Sequence, residues 1–191
     1  MAKTFGGTKK QKKVSEIYTT SLLSRTVYLN FTEIGANIKE VIQQKLSNDI
    51  EGKCDIDGFV KPNTCKVLSY SAGSVKGNSI SFIVSFECLI CCPVEGMSIQ
   101  CIAKNITKAG IKAEIDEDKS PVVIFLARDH HYNNQAFSKI NEGDKIKVKV
   151  IGQRFELNDE YISIIGKLEE ESLPKRQGKK RMKIEILEQD E

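Results

Sequence analysis

Apolar and polar residues alternate without interruption over residues 79–92. Every even-numbered position in this stretch is apolar, at Ile80, Phe82, Val84, Phe86, Cys88, Ile90 and Cys92. Because successive side chains of a strand point to opposite faces, the pattern predicts a long strand with one buried face. The run stops at Pro93-Val94-Glu95-Gly96, a sequence typical of a tight turn. We expect the boundary between two β-rich modules at this turn.

The residues before the turn predict one helix among several strands. Alternation over residues 25–31 predicts a strand, and residues 38–46 place apolar side chains at helical spacing. Asn37, with a glutamate three residues later, is the expected cap of that helix. Two further strands are expected over residues 52–60 and 65–71, which gives a first module of a strand, a helix and a three-stranded antiparallel sheet. The side chains expected to face inward from the strand over 52–60 are Cys54 and Ile56.

The residues after the turn predict five short strands. They are expected over residues 97–104, 110–115 and 122–126, along a long strand that starts after residue 144, and over residues 161–168. A polar stretch, residues 128–135, is expected to contain a helical turn between the third and fourth strands. Five strands with a helical segment in that place match the strand count of an OB-fold barrel.

The chain therefore divides into four expected segments. Residues 1–18 are predicted to be a basic disordered extension, residues 19–93 the first module, residues 94–170 the barrel, and residues 171–191 a charged tail. The fold class is α+β for the first module and all-β for the second.

Charge is unevenly distributed along the 191 residues. The net charge is +3, but lysines and arginines are concentrated at the two ends, and residues 14–173 are slightly acidic. Since affinity for nucleic acid comes largely from neutralising phosphates, we expect any nucleic-acid contact to use a local patch or the tails. Neither a signal peptide nor a membrane span is recognisable, so the six cysteines are expected to be free thiols in a reducing intracellular compartment.

Several short motifs give the chain a family resemblance that covers roughly residues 22–168. It resembles the seventh-subunit family of multisubunit DNA-directed RNA polymerases, which also has archaeal members. The motif run ahead of the barrel points to the polymerase, because similar barrels occur in many RNA-binding proteins. The matching residues are Gln44-Lys45-Leu46, Glu51-Gly52-Lys53-Cys54, Gly58-Phe59-Val60, Lys108-Ala109-Gly110-Ile111, Leu126-Ala127-Arg128, Gly143-Asp144-Lys145-Ile146, Val150-Ile151-Gly152 and Arg154.

The resemblance carries expectations about fold and function. It implies an N-terminal truncated RNP-like domain followed by an OB-fold of the ribosomal-protein-S-one type. Such a subunit is non-catalytic, forms the polymerase stalk and contacts nascent single-stranded RNA. Its core-docking residues would be Gly58, Phe59 and Val60, in a loop that inserts into the polymerase core subunits.

The resemblance says less about the binding partners, the origin and the cellular location of this chain than about its fold. It leaves open whether a fourth-subunit-like stalk partner binds the first module. The basic extension departs from the family pattern, and the richness in Lys, Ile and Asn resembles a copy encoded by a large DNA virus. The expected location is the nucleus, or the host cytoplasm and virion if the chain is viral.

The candidate RNA-binding residues lie on the barrel. In the family the second strand commonly offers an aromatic residue where this chain has Lys112, and Arg128 matches a family arginine. Phe125 is either a stacking platform or a core residue. Lys145, Lys147 and Lys149 form a row that is either solvated or an additional RNA contact. The complete set of candidates is Lys104, Lys108, Lys112, Phe125, Arg128, His130 and Tyr132.

No cofactor, metal or catalytic group is expected. Cys88 and Cys91 have the spacing of zinc ligands, but on a strand they point to opposite faces and cannot reach one tetrahedral ion. Cys88 and Cys92 are expected to be small core residues. His130 and His131 lie in a polar stretch with no recognisable catalytic partner, and both are expected to be solvated.

Two other functions remain open on the residues alone. The first is a free-standing OB-fold RNA-binding factor that acts in translation or RNA decay. The second is a nuclease or other enzyme, which would require an acidic or histidine cluster that the sequence does not display.

Overall fold

The computed structural model describes residues 17–117, 119–132 and 134–169. The charged tail predicted for residues 171–191 lies outside these ranges, as does most of the extension predicted for residues 1–18. Within the described residues, no helix has both the length and the apolar character needed to cross a membrane.

A mainly antiparallel six-stranded sheet forms the first module. Its two long strands, β1 (Tyr18–Asn30) and β6 (Ser79–Cys91), pair with each other along their whole length. The other edge of β6 pairs with three of the four short strands, and the sheet order is β1-β6-β3-β2. These short strands are β2 (Cys54–Asp55), β3 (Gly58–Val60), β4 (Lys66–Tyr70) and β5 (Ser74–Lys76).

One helix, α1 (Ile38–Ile50), covers a single face of this sheet. It buries Ile42, Leu46 and Ile50, which follow the predicted helical spacing. These side chains pack with the inward-facing residues of β1 and β6 into one hydrophobic core. The helix is therefore confirmed, although the Asn37 side chain makes no capping hydrogen bond. The likeness of this module to a truncated RNP-like domain stays a prediction.

The structure corrects three details of the first module. The predicted strand over residues 52–60 is a hairpin, β2–β3, and Ile56 lies at its turn with 81% of its surface exposed. Strand β5 was not predicted. At the end of β6, Cys91 is buried and Cys92 is exposed, the reverse of the predicted phase. The reason is that a second core covers the opposite face of the sheet at this end.

A closed five-stranded barrel follows. Its strands run in the order β10-β11-β9-β8-β7, and β10 closes on β7. All neighbours are antiparallel except β9 and β11, which are parallel. This topology is consistent with the predicted OB-fold. The strands are β7 (Ser98–Ile106), β8 (Gly110–Glu114), β9 (Val122–Ala127), β10 (Lys145–Arg154) and β11 (Ile162–Leu168).

The barrel core extends into the first module. Tyr18, Cys54, Phe59 and Cys91 belong to the same buried cluster as the barrel interior. Phe59 has 0% exposure, so Gly58-Phe59-Val60 is not the exposed docking loop that the resemblance implies. The segment is instead strand β3, and the Phe59 ring contributes to the core that joins the two modules.

Gly58 makes this close packing possible. Its φ of +129° is unfavourable for other residues, and a Cβ at this position would lie 2.5 Å from the carbonyl oxygen of Cys91. Only glycine lets β3 approach the end of β6 so closely.

Polar contacts reinforce the junction between the modules. The Cys54 N–H donates to the Asp159 carbonyl at 2.7 Å, and the Cys54 carbonyl accepts from the Asn158 N–H at 2.8 Å. On the other side, the Tyr18 hydroxyl donates to Glu117 at 3.0 Å, and burial together with this carboxylate raises the pKa of Tyr18. Lys61 contacts the same carboxylate at 3.5 Å and lies 4.0 Å from the centre of the Tyr18 ring.

The segment between β9 and β10 contains two short 3-10 helices, Arg128–His131 and Phe137–Lys139, which confirms the predicted helical turn.

His131 is buried, contrary to the prediction that it is solvated. Its Nε2 accepts a hydrogen bond from the Leu168 N–H at 2.9 Å, so its Nδ1 carries the proton and donates to the Ala127 carbonyl at 2.7 Å. The ring also stacks on Phe137, with a centroid distance of 4.7 Å.

We predict that His131→Ala lowers the free energy of unfolding by about 2–4 kcal/mol, because it leaves the Leu168 N–H without a partner and creates a cavity. Denaturant unfolding of the purified chain measures the change. The matched control is His130→Ala, which removes an exposed neighbouring imidazole and is expected to change stability by less than about 0.5 kcal/mol. Equal effects of the two substitutions would contradict the assigned role of His131.

Candidate nucleic-acid interface

The β7–β8 turn and the end of β9 meet at one end of the barrel. Gly110 pairs with Ala127, the Arg128 N–H donates to the Ala109 carbonyl at 2.9 Å, and the Arg128 guanidinium donates to the Thr107 carbonyl at 3.3 Å. These contacts hold Arg128 against the turn that carries Lys108. Two of the predicted site residues are thus brought together by backbone geometry.

Gly110 permits the close approach of the two strands. A Cβ at this position would overlap the Leu126 carbonyl oxygen, which belongs to the backbone and cannot rotate away. Substitution would therefore move β8 away from β9 and displace the turn from Arg128. Gly110 belongs to the family motif, but only the structure shows that it is needed because a side chain would collide with β9.

Lys112 and Phe125 lie side by side on the outside of the barrel. They are direct cross-strand partners of β8 and β9, and 44% of the Phe125 surface is exposed. The outward orientation removes the alternative that Phe125 is a core residue. Ile165 of β11 pairs with Phe125 on its other side and is also exposed, so an apolar strip continues beyond the aromatic ring. Ile165 is not among the predicted site residues, because an apolar residue in a strand gives no sign in the sequence that it faces outward.

The cationic groups of this face differ in whether they already form an ion pair. Lys112 is paired with Glu114 at 2.9 Å, which partly cancels its charge. Lys104 lies at the bulge in the pairing of β7 with β8, and its side chain is exposed. No ion pair formed within the described residues involves Lys104, Lys108 or Arg128. These three side chains can therefore meet a phosphate without first releasing a carboxylate.

His130 and Tyr132 extend the same surface beyond Arg128. Both are exposed in the polar segment that follows β9, and Tyr132 is among the most exposed aromatic residues of the described part. All seven predicted RNA-binding residues are thus exposed, and they lie on β7, the β7–β8 turn, β8, β9 and the segment that follows β9. A surface of this composition offers two aromatic rings and several cations to a flexible anionic strand.

Two of the three lysines in the row on β10 form salt bridges with carboxylates. Ile146, Val148 and Val150 face inward as predicted. Lys145 contacts Asp116 at 3.5 Å and Lys147 contacts Glu169 at 2.9 Å. Hydrogen bonds from Ser98 and Lys147 hold the pKa of Glu169 below its ordinary value. These pairings favour a solvated, internally compensated face over an RNA contact.

The exposed tip of the first module is the turn of the β2–β3 hairpin. A salt bridge between Arg25 and the buried Asp55 carboxylate fixes the hairpin, and Asp55 also accepts from the Ile56 N–H at 2.7 Å. The Ile56 side chain projects from this turn. Leu157, an exposed residue of the β10–β11 loop, precedes the two residues that hydrogen-bond to Cys54. Both apolar side chains were missed because each lies in a turn.

The described residues contain no group of three or more His, Cys, Asp or Glu side chains that could hold a metal ion. Cys88 and Cys91 lie on opposite faces of β6, as predicted: Cys88 is in the core beneath α1 and Cys91 is in the core shared with the barrel. Burial raises the pKa of Cys91 and of Cys101 to about 12. These thiols remain protonated at neutral pH.

We predict that Gly110→Ala lowers the free energy of unfolding by about 1–3 kcal/mol, because the added methyl overlaps the backbone of β9. Gly152→Ala is the matched control, since a Cβ at that strand glycine meets nothing within 4 Å and its change is expected to stay within about 0.5 kcal/mol. Thermal or denaturant unfolding measures both. A neutral Gly110→Ala would show that β8 and β9 are not in tight contact there.

Comparison with known proteins identifies related chains. The sequence is 28% identical over 170 residues to a protein of Acanthamoeba polyphaga mimivirus whose name assigns it to the subunits of DNA-directed RNA polymerase; the match covers 80% of this chain and 82% of that protein. It is 24% identical to DNA-directed RNA polymerase II subunit 7 of Arabidopsis thaliana, over 76% of this chain and 94% of the relative.

A further match is DNA-directed RNA polymerase II subunit RPB7 of Glycine max, which is 24% identical over 80% of this chain and 92% of the relative. No protein-family model matches the chain. The resemblance to the seventh-subunit family is thus confirmed at modest identity across most of the chain, and a viral protein is among the similar ones.

Proposed function

We propose that this chain is a non-catalytic stalk subunit of a DNA-dependent RNA polymerase. The observation that carries the proposal is similarity to polymerase subunits along most of the chain, through both the first module and the barrel. A shared barrel alone would match only the second half. Nucleotidyl transfer would then take place in other subunits, and this chain contributes binding surfaces.

Core docking is assigned to the tip of the first module. The resemblance placed docking at Gly58, Phe59 and Val60, but these residues are buried in β3. Their neighbours in the hairpin turn are available instead, and Ile56 is the most exposed large apolar side chain of this region. The salt bridge of Arg25 with Asp55 fixes the turn before binding, which reduces the entropy lost on association.

RNA contact is assigned to the face that carries Lys112 and Phe125. The exposed ring can stack on any base, and the cations beside it can meet phosphates, so binding is expected to be weak and independent of sequence. The slightly acidic body of the chain confines this attraction to the patch.

A fourth-subunit-like partner would fit the open face of the first module. Leu22 and Tyr28 of β1 and Ile83 of β6 are exposed on the side of the sheet opposite α1. Such apolar groups on a sheet face are typical of an interaction surface. The nucleus, or the host cytoplasm and virion, stays the expected location, and the viral relative supports the second of these.

The alternative function, a free-standing RNA-binding factor, is favoured by the same barrel face. Purification at high salt distinguishes the two. A stalk subunit is expected to remain with polymerase subunits when salt has released RNA, since apolar docking is insensitive to screening. Recovery of the chain with RNA and without polymerase subunits would instead support the accessory factor.

For docking, we predict that Ile56→Ser weakens association with the polymerase core by about 1–2 kcal/mol, roughly 5- to 30-fold. Pull-down of the core by the tagged chain, titrated over concentration, measures the loss. Val75→Ser is the matched control, because Val75 is 65% exposed at the far end of the sheet. Equal affinity of wild type and Ile56→Ser would exclude the hairpin turn as a contact.

For RNA, we predict that Phe125→Ala weakens binding of an unstructured oligoribonucleotide by about 1–3 kcal/mol without changing the salt dependence, because stacking is lost and charge is not. Phe31→Ala, which removes an exposed phenyl ring from the first module, is the control.

Lys108→Ala combined with Arg128→Ala is expected to have the complementary effect. Loss of two phosphate contacts should flatten the slope of log K against log salt by about 1.4. Fluorescence anisotropy at several salt concentrations measures both quantities. An unaltered slope would remove this patch from the interface.

A further inference from the structure

Cys65 and Cys88 are neighbours on the same face of the first-module sheet, the face that α1 covers. Lys66, the first residue of β4, pairs with Glu87 of β6 in an antiparallel register. Cys65 directly precedes β4, and continuing the same register by one residue places it opposite Cys88. Opposed residues of antiparallel strands have Cα atoms about 4.5–5.5 Å apart, within the range that a disulfide requires. Both side chains point toward α1 and pack in the same core.

The backbone of Cys65 is held in this position by side chains from the helix and its end. Its N–H donates to Glu51 at 2.9 Å, and its carbonyl accepts from the Gln43 side chain at 2.8 Å. The same Gln43 amide accepts from the Val67 N–H at 2.7 Å. A residue outside regular strand pairing is thus fixed on both sides, which keeps its sulfur opposite that of Cys88.

The other cysteines lack such an opposed partner. Cys101 pairs with Ile146 in the barrel. Cys54 and Cys91 lie on either side of Phe59 in the pairing of β2, β3 and β6, so two strand spacings of about 4.8 Å separate them. That separation exceeds the disulfide range. Cys92 is exposed but follows Cys91 directly.

We propose that Cys65 and Cys88 form a reversible disulfide when the chain meets a low-molecular-weight or protein disulfide as oxidant. Cys65 is the more accessible thiol. It loses its proton to solvent and attacks one sulfur of the oxidant, which releases the first thiolate and leaves a mixed disulfide on Cys65. Cys88 then loses its proton to the released thiolate, and its sulfur attacks the Cys65 sulfur and expels the second thiolate, which takes up the proton that Cys65 gave to solvent. Two protein thiols are oxidised and one disulfide is reduced to two thiols.

The acidities of the two thiols determine how the first step depends on pH. A hydrogen bond between the two thiols, with burial and Glu51 adding to it, raises the pKa of Cys65. The same bond lowers the pKa of Cys88 against the opposing effect of burial. Because only a thiolate attacks a disulfide, the first step is expected to be slow at neutral pH and faster in alkali. The second step depends on the closeness of the two sulfurs, since Cys65 has no proton to donate once it is in the mixed disulfide. The product ties β4 and the C-terminal end of α1 to the central strand of the sheet.

The test uses the full chain, reduced, freed of reductant and treated with oxidised glutathione at mildly alkaline pH. After quenching and alkylation of free thiols, peptide mapping is expected to recover Cys65 linked to Cys88, with release by dithiothreitol. Cys65→Ser and Cys88→Ser should each abolish the link. Cys92→Ser, the matched control, removes the exposed thiol and should leave the link intact.

A thermal melt gives the second readout. Closing the 24-residue loop between these cysteines is expected to raise the Tm of the wild type and of Cys92→Ser by about 5–10 °C, with no rise in the two pair variants. The proposal is overturned if Cys65 and Cys88 are recovered alkylated when Cys92 has been fully glutathionylated, or if Cys65 stops at the mixed disulfide. A link that forms without raising the Tm also overturns it, since the native backbone would then not accommodate the bond.

Discussion

The structure depends on one buried contact, the packing of the Phe59 ring and its neighbours between the end of the first sheet and the barrel. The ring has barrel residues on one side and the end of β6 on the other, and it has no exposed surface. Full burial of a phenylalanine contributes roughly 1.5–3 kcal/mol by transfer alone. Because the two modules share this core, their relative orientation is fixed by apolar packing, to which the hydrogen bonds of Cys54 and Tyr18 add.

Fixed orientation matters for the proposed role. Ile56 and the Lys112–Phe125 face lie on different modules, so a flexible junction would let one surface bind without directing the other. The hydrogen bonds from Asn158 and to Asp159 attach the hairpin that carries Ile56 directly to the barrel. A chain docked through the hairpin turn would therefore hold its barrel face in one orientation relative to the polymerase core. A fixed orientation is what guiding a single-stranded RNA requires.

Local patterns predicted most of the fold, and tertiary contacts account for what they missed. Strand β9 was predicted from an all-apolar run, and four of its six residues are buried. Alternation predicted β6, β7 and β10, since each has one buried face that is visible in two-residue periodicity. It failed at Cys91 and Cys92 because the sheet end is covered on both faces, so the inward direction changes without a change in spacing. Ile56 was misjudged because the turn signal of Asp57-Gly58 was placed at the end of the strand, whereas the turn includes Ile56 and divides the segment into a hairpin. His131 was misjudged because its hydrogen-bond partners are backbone groups, which leave no sequence signal.

The sequence predicted which residues form the candidate site, but it did not predict how these residues are arranged. The sequence named the lysines, Phe125 and Arg128, whereas their pairing, the charge cancelled by Glu114 and the steric role of Gly110 are properties of the folded barrel. The cross-strand partnership of Lys112 and Phe125 has one more implication. Opposed side chains on a sheet have Cβ atoms only about 4.5–5.5 Å apart, so exchanging the ring and the cation between the two strands would keep both on the same patch. Loss of an aromatic residue at a single alignment column is then poor evidence that a barrel of this kind has lost its ligand.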